Sequence, residues 1–219
     1  MSLKLNEIYN IHCFDGMEQM KDKSVTMTLT DIPYNCVSRP DNGLRKLGTD
    51  DKKKADIETF RLKLFIPEIC RVTSGSVYVF CATEQVSEVR QLLIDNKMST
   101  RLCIWEKTNP APMNGQWMWL SGIECCVYGK FPGATFNEHC KNTVWRYPIQ
   151  RGIDHPTPKP LELFKYLIRV SSNTGDTVFD PCLGSGTTAI AAREERRNYL
   201  GFELDPGYYA YAQKRLTLT

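Results

Sequence analysis

Several large classes are excluded by what the sequence lacks. No apolar run approaches the roughly 18 residues that a bilayer-spanning helix needs, so no membrane segment is expected. The nine cysteines (13, 36, 70, 81, 103, 125, 126, 140, 182) include no C-x-x-C pair, which argues against a zinc site. Their odd number, their scatter and the absence of a preceding signal peptide argue against a disulfide framework. Most sit in apolar runs such as "VYVFCAT", where a free thiol behaves as a small hydrophobe, so reduced thiols in a cytoplasmic protein are expected. Repeats and low-complexity tracts are missing too. No P-loop is present, because no Gly-Lys-Ser/Thr follows a glycine loop, and Ala189 breaks the G-x-G-x-x-G pattern. A strong charge bias is also lacking. The net charge of +3 permits a polyanionic partner but does not demand one.

The chain does have enough apolar residues, 42% of 219, to build a sizeable core, and its length suits a single domain spanning 1–219. Thr/Val-rich or apolar runs predict strands over 24–30, 75–82, 101–107, 122–130, 176–181 and 198–204. Helical spacing predicts helices over 55–73 (with Pro67 as a kink), 83–96 (with Thr83 as N-cap), 160–172, 187–197 and 206–216 (with Pro206 near its start). Strands alternating with helices imply an α/β fold with a doubly wound, mostly parallel sheet. Residues 35–55, 108–121 and 131–154 read as irregular inserts.

"VFDPCLGSGTTAIAA" (178–192) is a strand, a glycine turn and a helix. Gly184 and Gly186 suit close backbone approach, and the helix start offers free N–H groups. Glu203 closes the next strand, 23 residues after Asp180. That is the spacing at which an acid accepts hydrogen bonds from ribose hydroxyls in nucleotide folds. Together the two features point to a ribose-bearing ligand beyond the carboxyl ends of the strands.

"TLTDIPYNCVS" (28–38) ends a buried strand in Asp31-Ile32-Pro33-Tyr34 on that same rim. A simple turn would use the aspartate and proline but has no need of the tyrosine. The exocyclic amine of a nucleobase is a poor nucleophile, because its lone pair is delocalised into the ring. Asp31 and the carbonyl of Ile32 can each accept one N–H and draw the nitrogen toward tetrahedral geometry. Pro33 stiffens the turn, and Tyr34 offers a face on which a flipped base can stack.

With these residues in view, the chain resembles the S-adenosylmethionine-dependent DNA amino-methyltransferases of the N6-adenine/N4-cytosine family. "DIPY" is similar to that family's Asp/Asn/Ser-Pro-Pro-Tyr/Phe motif, and "FDPCLGSGTT" to its Asp-Pro-Phe-x-Gly-Ser-Gly-Thr-Thr cofactor motif. The catalytic motif precedes the cofactor turn, as in the β class. "HPTPKP" (155–160) resembles the segment that lines the cofactor pocket, and "HCFDGMEQM" (12–20) the segment whose acid lies near the cofactor's adenine. The resemblance implies a Rossmann-like methyltransferase fold with S-adenosyl-L-methionine as cofactor and no metal. Asp31, Ile32, Pro33 and Tyr34 would be catalytic. Cofactor contacts would come from Asp15, Asp31, Lys159, Pro160, Asp180, Pro181, Gly184, Ser185, Gly186, Thr187, Thr188 and Glu203. Three positions depart from the pattern: Ile32 stands for the first proline, Phe14 for a glycine and Cys182 for an aromatic. The last two are expected to reshape the adenine or methionine pocket.

The leading Asp implies adenine N6 in double-stranded DNA as the target, reached by base flipping. Cytosine N4, an RNA or protein amide, and an inactive cofactor- and DNA-binding module are the alternatives. Arg39, Arg45, Lys46, Lys52, Lys53, Lys54, Arg146 and Arg151 in the inserts are candidate phosphate contacts. Trp117, Trp119, Trp145 and Tyr147 could fill the gap left by a flipped base; Trp105, ending a strand, reads as core. The inserts would then act as minimal DNA-recognition loops, since no separate recognition domain fits in the length. A cognate restriction endonuclease, a homodimer and a bacterial or phage origin accompany this reading as expectations.

Overall fold

The computed structural model describes residues 3–34, 60–112, 115–150 and 159–218. Among these residues, eight strands form one sheet: β1 Glu7–Asn10, β2 Val25–Asp31, β3 Thr73–Cys81, β4 Ser99–Lys107, β5 Ile123–Lys130, β6 Val144–Tyr147, β7 Thr177–Asp180 and β8 Asn198–Glu203. Their order is β1-β8-β7-β2-β3-β5-β4-β6. Every pairing is parallel except those of β5, which runs against both β3 and β4. The helices are α1 Cys13–Glu18, α2 Leu62–Val72, α3 Val86–Asp95, α4 Leu161–Ser171, α5 Thr187–Glu194 and α6 Pro206–Leu218, with a 3-10 turn at Thr83–Gln85.

Alternation along the strands divides the core into two layers, as a sheet covered on both faces requires. Met27, Leu29, Tyr78, Phe80 and Trp105 pack with Phe164 and Leu167 of α4 and Ala189 of α5. Val25, Val77, Val79 and Phe202 pack on the opposite face with Met17 of α1, Phe65 and Ile69 of α2 and Leu93 of α3. From β2 the chain winds outward through α2 to β3; from β7 it winds the other way through α5 to β8. The switch point therefore falls between β2 and β7, where open α/β sheets bind their ligands. Asp31 and Asp180 end these two strands. The architecture is a doubly wound, Rossmann-like α/β fold.

Four local expectations change. β1 and α1 come from an N-terminal stretch too short to declare a period. β6 lies inside 131–154, where only four residues pair with β4. Thr83 does not cap α3; it opens the 3-10 turn, and the side chain of Gln85 reaches back to the Ala82 N–H at 3.0 Å. The helix around Pro67 is described from Leu62 on and carries the proline in its interior.

Candidate active site

The DIPY turn is held from below and behind. The N–H of Ile32 donates to the Phe80 carbonyl at 3.1 Å, which prolongs the β2–β3 ladder past Asp31. Ile32 itself is buried in the α1–α2–α3 layer, so its side chain anchors the turn in place of the usual proline ring. The amide of Gln85 donates to the Pro33 carbonyl at 3.1 Å. Tyr34 then folds back, its hydroxyl donating to Asp31 Oδ1 at 3.0 Å.

Lys159 closes the other side of the acid. Its ammonium, 5% exposed, contacts Asp31 Oδ2 at 2.5 Å, Glu124 Oε2 at 2.9 Å and Tyr34 Oη at 3.3 Å. It also lies over the rings of Tyr34 and Phe80, 5.5 and 5.7 Å from their centroids, where an aromatic face attracts a cation. Glu124 Oε1 is held in turn by Lys107 at 2.9 Å. Burial lifts Asp31 above the usual carboxylate range, opposed by Lys159. Burial pushes Glu124 the same way, but Lys159 and Lys107 together outweigh it and hold that carboxyl low. Burial works against the charge of Lys159, and the two carboxylates overcome it and raise the ammonium.

Glu124, Lys107 and Gln85 have no counterpart among the residues named from sequence. Glu124 opens the otherwise apolar run "GIECCVYGK", and that lone carboxylate at a strand mouth was the only available signal. It reaches the rim because β5 is reversed: its first residues lie where the parallel strands have their last, with Glu124 opposite Trp105.

The glycine turn lies beside this network, after β7. Asp180 faces inward, accepting from the Cys182 N–H at 3.0 Å and from the Thr188 hydroxyl at 2.5 Å. Burial pushes it up to about 7. Ser185, Thr187 and Thr188 are buried and build the turn, while Arg215 holds the Ser185 carbonyl at 2.6 Å. Gly186 sits at φ +82°, and a Cβ there would lie 3.0 Å from that of Ala212, so this glycine serves the turn's packing on α6. Glu203 accepts the Gly184 N–H at 2.7 Å on one oxygen and the Asp205 N–H at 2.8 Å on the other. A carboxylate in this position can accept hydrogen bonds from ribose hydroxyls.

Asp15 is exposed in the first turn of α1, whose preceding strand pairs with β8. Pro160 is the N-cap residue of α4, and Pro181 is buried at the start of the glycine turn. Lys159, expected as a cofactor contact, is paired with the Asp31 carboxylate. Trp105 and Trp145 are core residues, whereas Trp117 and Trp119 are 82% and 96% exposed. Arg146 is exposed and paired with Glu106 at 3.0 Å. Arg39, Arg45, Lys46, Lys52, Lys53, Lys54 and Arg151 lie outside the described residues.

Several known proteins are similar to this chain in sequence or fold. Residues 129–214 match the family described as DNA methylase (N6_N4_Mtase). The Type II methyltransferase M1.MboII of Moraxella bovis is 25% identical, with 94% of each chain covered. M.HinfI of Haemophilus influenzae is 27% identical over 97% of this chain and 68% of its own. Among solved structures, an M1.HpyAVI–SAM complex superposes with a TM-score of 0.75 at 24% identity, covering 95% of this chain and 98% of that one. The cytosine-N4-specific PvuII DNA methyltransferase does so with a TM-score of 0.76 at 16% identity, covering 98% and 87%. By these similarities the chain resembles the N6/N4 DNA methylases, with the family match covering residues 129–214.

Proposed function

We propose that the protein methylates adenine N6 in double-stranded DNA in a site-specific manner, taking the base out of the stack to do so. The observation that carries this is the Asp31 carboxylate. It sits on a rigid turn at the switch point, is kept as an acceptor by Lys159, and lies one strand away from the glycine turn after β7 and two from Glu203, which ends β8. Glu203 and the backbone around Gly184 would hold the cofactor, with Asp15 toward its adenine. When bound, S-adenosyl-L-methionine supplies a methyl group activated by the sulfonium.

The chain's own residues do the rest by positioning. Asp31 accepts one N–H of the target amine and the Ile32 carbonyl the other, which localises the nitrogen lone pair. The proton lost from the amine leaves by way of Asp31. Gln85, through the Pro33 carbonyl, prevents the turn from relaxing. Tyr34 presents its ring to the flipped base, and stacking of this kind is worth about 1–3 kcal/mol. Trp117 and Trp119, on the β4–β5 connection, stand ready to meet the duplex beside that base.

Cytosine N4 is the second reading, favoured by the fold similarity to the cytosine-N4-specific PvuII enzyme. The Type II names of the sequence relatives extend the proposal to a restriction–modification pair with a cognate endonuclease. A homodimer would fit the same setting. The deciding experiment incubates purified protein with unmethylated genomic DNA and labelled S-adenosylmethionine, then resolves the nucleosides by mass spectrometry. N6-methyladenine supports the proposal, N4-methylcytosine replaces it with the second reading, and no methylated nucleoside from a cofactor-binding protein rejects both.

A further inference from the structure

We infer that Glu124 is a positioning residue for methyl transfer: with Lys107 behind it, it draws Lys159 partly off Asp31 and so keeps a lone pair of Asp31 available to the target amine. The inference rests on the methyltransferase reading above and adds a function for Glu124 and Lys107, to which that reading assigns none.

An ammonium has three N–H bonds, and that of Lys159 meets three acceptors, on Asp31, Glu124 and Tyr34. Charge neutrality alone would need only Asp31. An aspartate that carried the whole of a buried ammonium would, however, have its oxygens committed to the lysine. Adding Glu124 divides the ammonium between two carboxylates. Lys107, 12% exposed, then neutralises Glu124, so the set closes at two positive and two negative charges. Four separate elements contribute: the end of β2, the end of β4, the start of β5 and the residue ahead of α4. The reversed direction of β5 is what delivers the second carboxylate to the rim.

Asp31 is faced by Tyr34 from its own turn, Cys81 on β3, Glu124 and Cys126 on β5, Lys159, and Asp180 on β7. The thiols and the phenol are shifted upward, and Asp180 is unchanged in both variants of the test below, so differences between them report the lysine–glutamate brace.

The test compares wild type with Glu124→Gln and Lys107→Met, reading the Asp31 carboxyl by 13C NMR titration of the cofactor-free protein and the acid limb of kcat against pH. In Glu124→Gln a negative neighbour is gone and the ammonium falls wholly to Asp31. Its titration midpoint should drop, the acid limb should move to lower pH, and kcat should fall about tenfold with KM for cofactor little changed. In Lys107→Met the unneutralised Glu124 pulls Lys159 away, so the midpoint and the limb should rise. The opposite signs keep the inference testable if one variant does not fold. An Asp31 midpoint unmoved in the folded variants overturns it even if activity drops, since a merely structural loss would do that. A midpoint that moves as described, in a protein whose wild type methylates no nucleoside, supports the brace and overturns the methyltransferase reading instead.

Discussion

Replacing Asp31 by alanine leaves Lys159 with Glu124 and Tyr34 as partners, so the buried ammonium stays compensated and the fold should survive. Turnover should fall by at least about 100-fold, the lower range for a lost acid–base group, while cofactor affinity by calorimetry stays within a factor of a few. Equal losses in both would mean that Asp31 holds cofactor more than it orients the amine. Asp180 makes a different prediction. Its folded pKa near 7 lies above the ordinary carboxylate value, so the folded state binds the proton more tightly than the unfolded chain. Stability from this group is complete below the unfolded pKa and is lost as pH rises through about 7, with a slope of up to roughly 1.4 kcal/mol per pH unit. Asp180→Asn keeps an acceptor for the Cys182 N–H and a donor for Thr188. Urea midpoints from pH 5 to 8 should show wild type losing stability relative to this variant, and parallel profiles would rule the protonated carboxyl out.

At the scale of elements, the DIPY turn depends on a connection that belongs to another strand. Gln85, in the 3-10 turn after β3, donates to the Pro33 carbonyl and accepts from the Ala82 N–H. Gln85→Ala strands both groups and should cost about 1–3 kcal/mol in urea denaturation. Its kcat should fall more than its cofactor affinity, because the loosened turn carries Asp31 and Tyr34. The β4–β5 connection offers the complementary case. Trp117 and Trp119 contribute almost nothing to the core, so changing both to alanine should leave the urea midpoint in place. DNA affinity in a filter or anisotropy assay should weaken by about 1–3 kcal/mol for each base that no longer stacks. An unchanged affinity would remove this loop from the DNA interface.

For the whole molecule, a net charge of +3 over 219 residues leaves nonspecific attraction to DNA weak unless the basic residues gather on one side. If Lys52, Lys53, Lys54 and Arg146 meet phosphates, neutralising all four should lower affinity and flatten the plot of log K against log salt by about one for each phosphate left without its cation. Arg146 is already paired with Glu106, so its share should be the smallest. An unchanged slope would place phosphate recognition elsewhere. No helix among the described residues is long and apolar enough to cross a membrane.

The parallel α/β architecture was legible because its signals are local: apolar runs of strand length, helical spacing between them, and a glycine turn that only a strand-to-helix junction explains. DIPY and Glu203 were legible for the same reason, since strands in such a sheet deliver their last residues to one edge. The sequence by itself thus determined the fold class, the rim and the place on it of the acid proposed to orient the amine. Only the tertiary structure decided what surrounds that acid. Glu124 lies 93 residues from Asp31 along the chain, and Lys159 lies 128 away. Nothing local in either segment announces a partner. The reversal of β5 is set by pairing with β3 and β4 on both sides, a long-range outcome of burying an apolar strand, and it turns the mouth of that strand toward the active rim. The same burial sorted the tryptophans, placing Trp105 and Trp145 in the core and leaving Trp117 and Trp119 in solvent, a division that composition could not foretell.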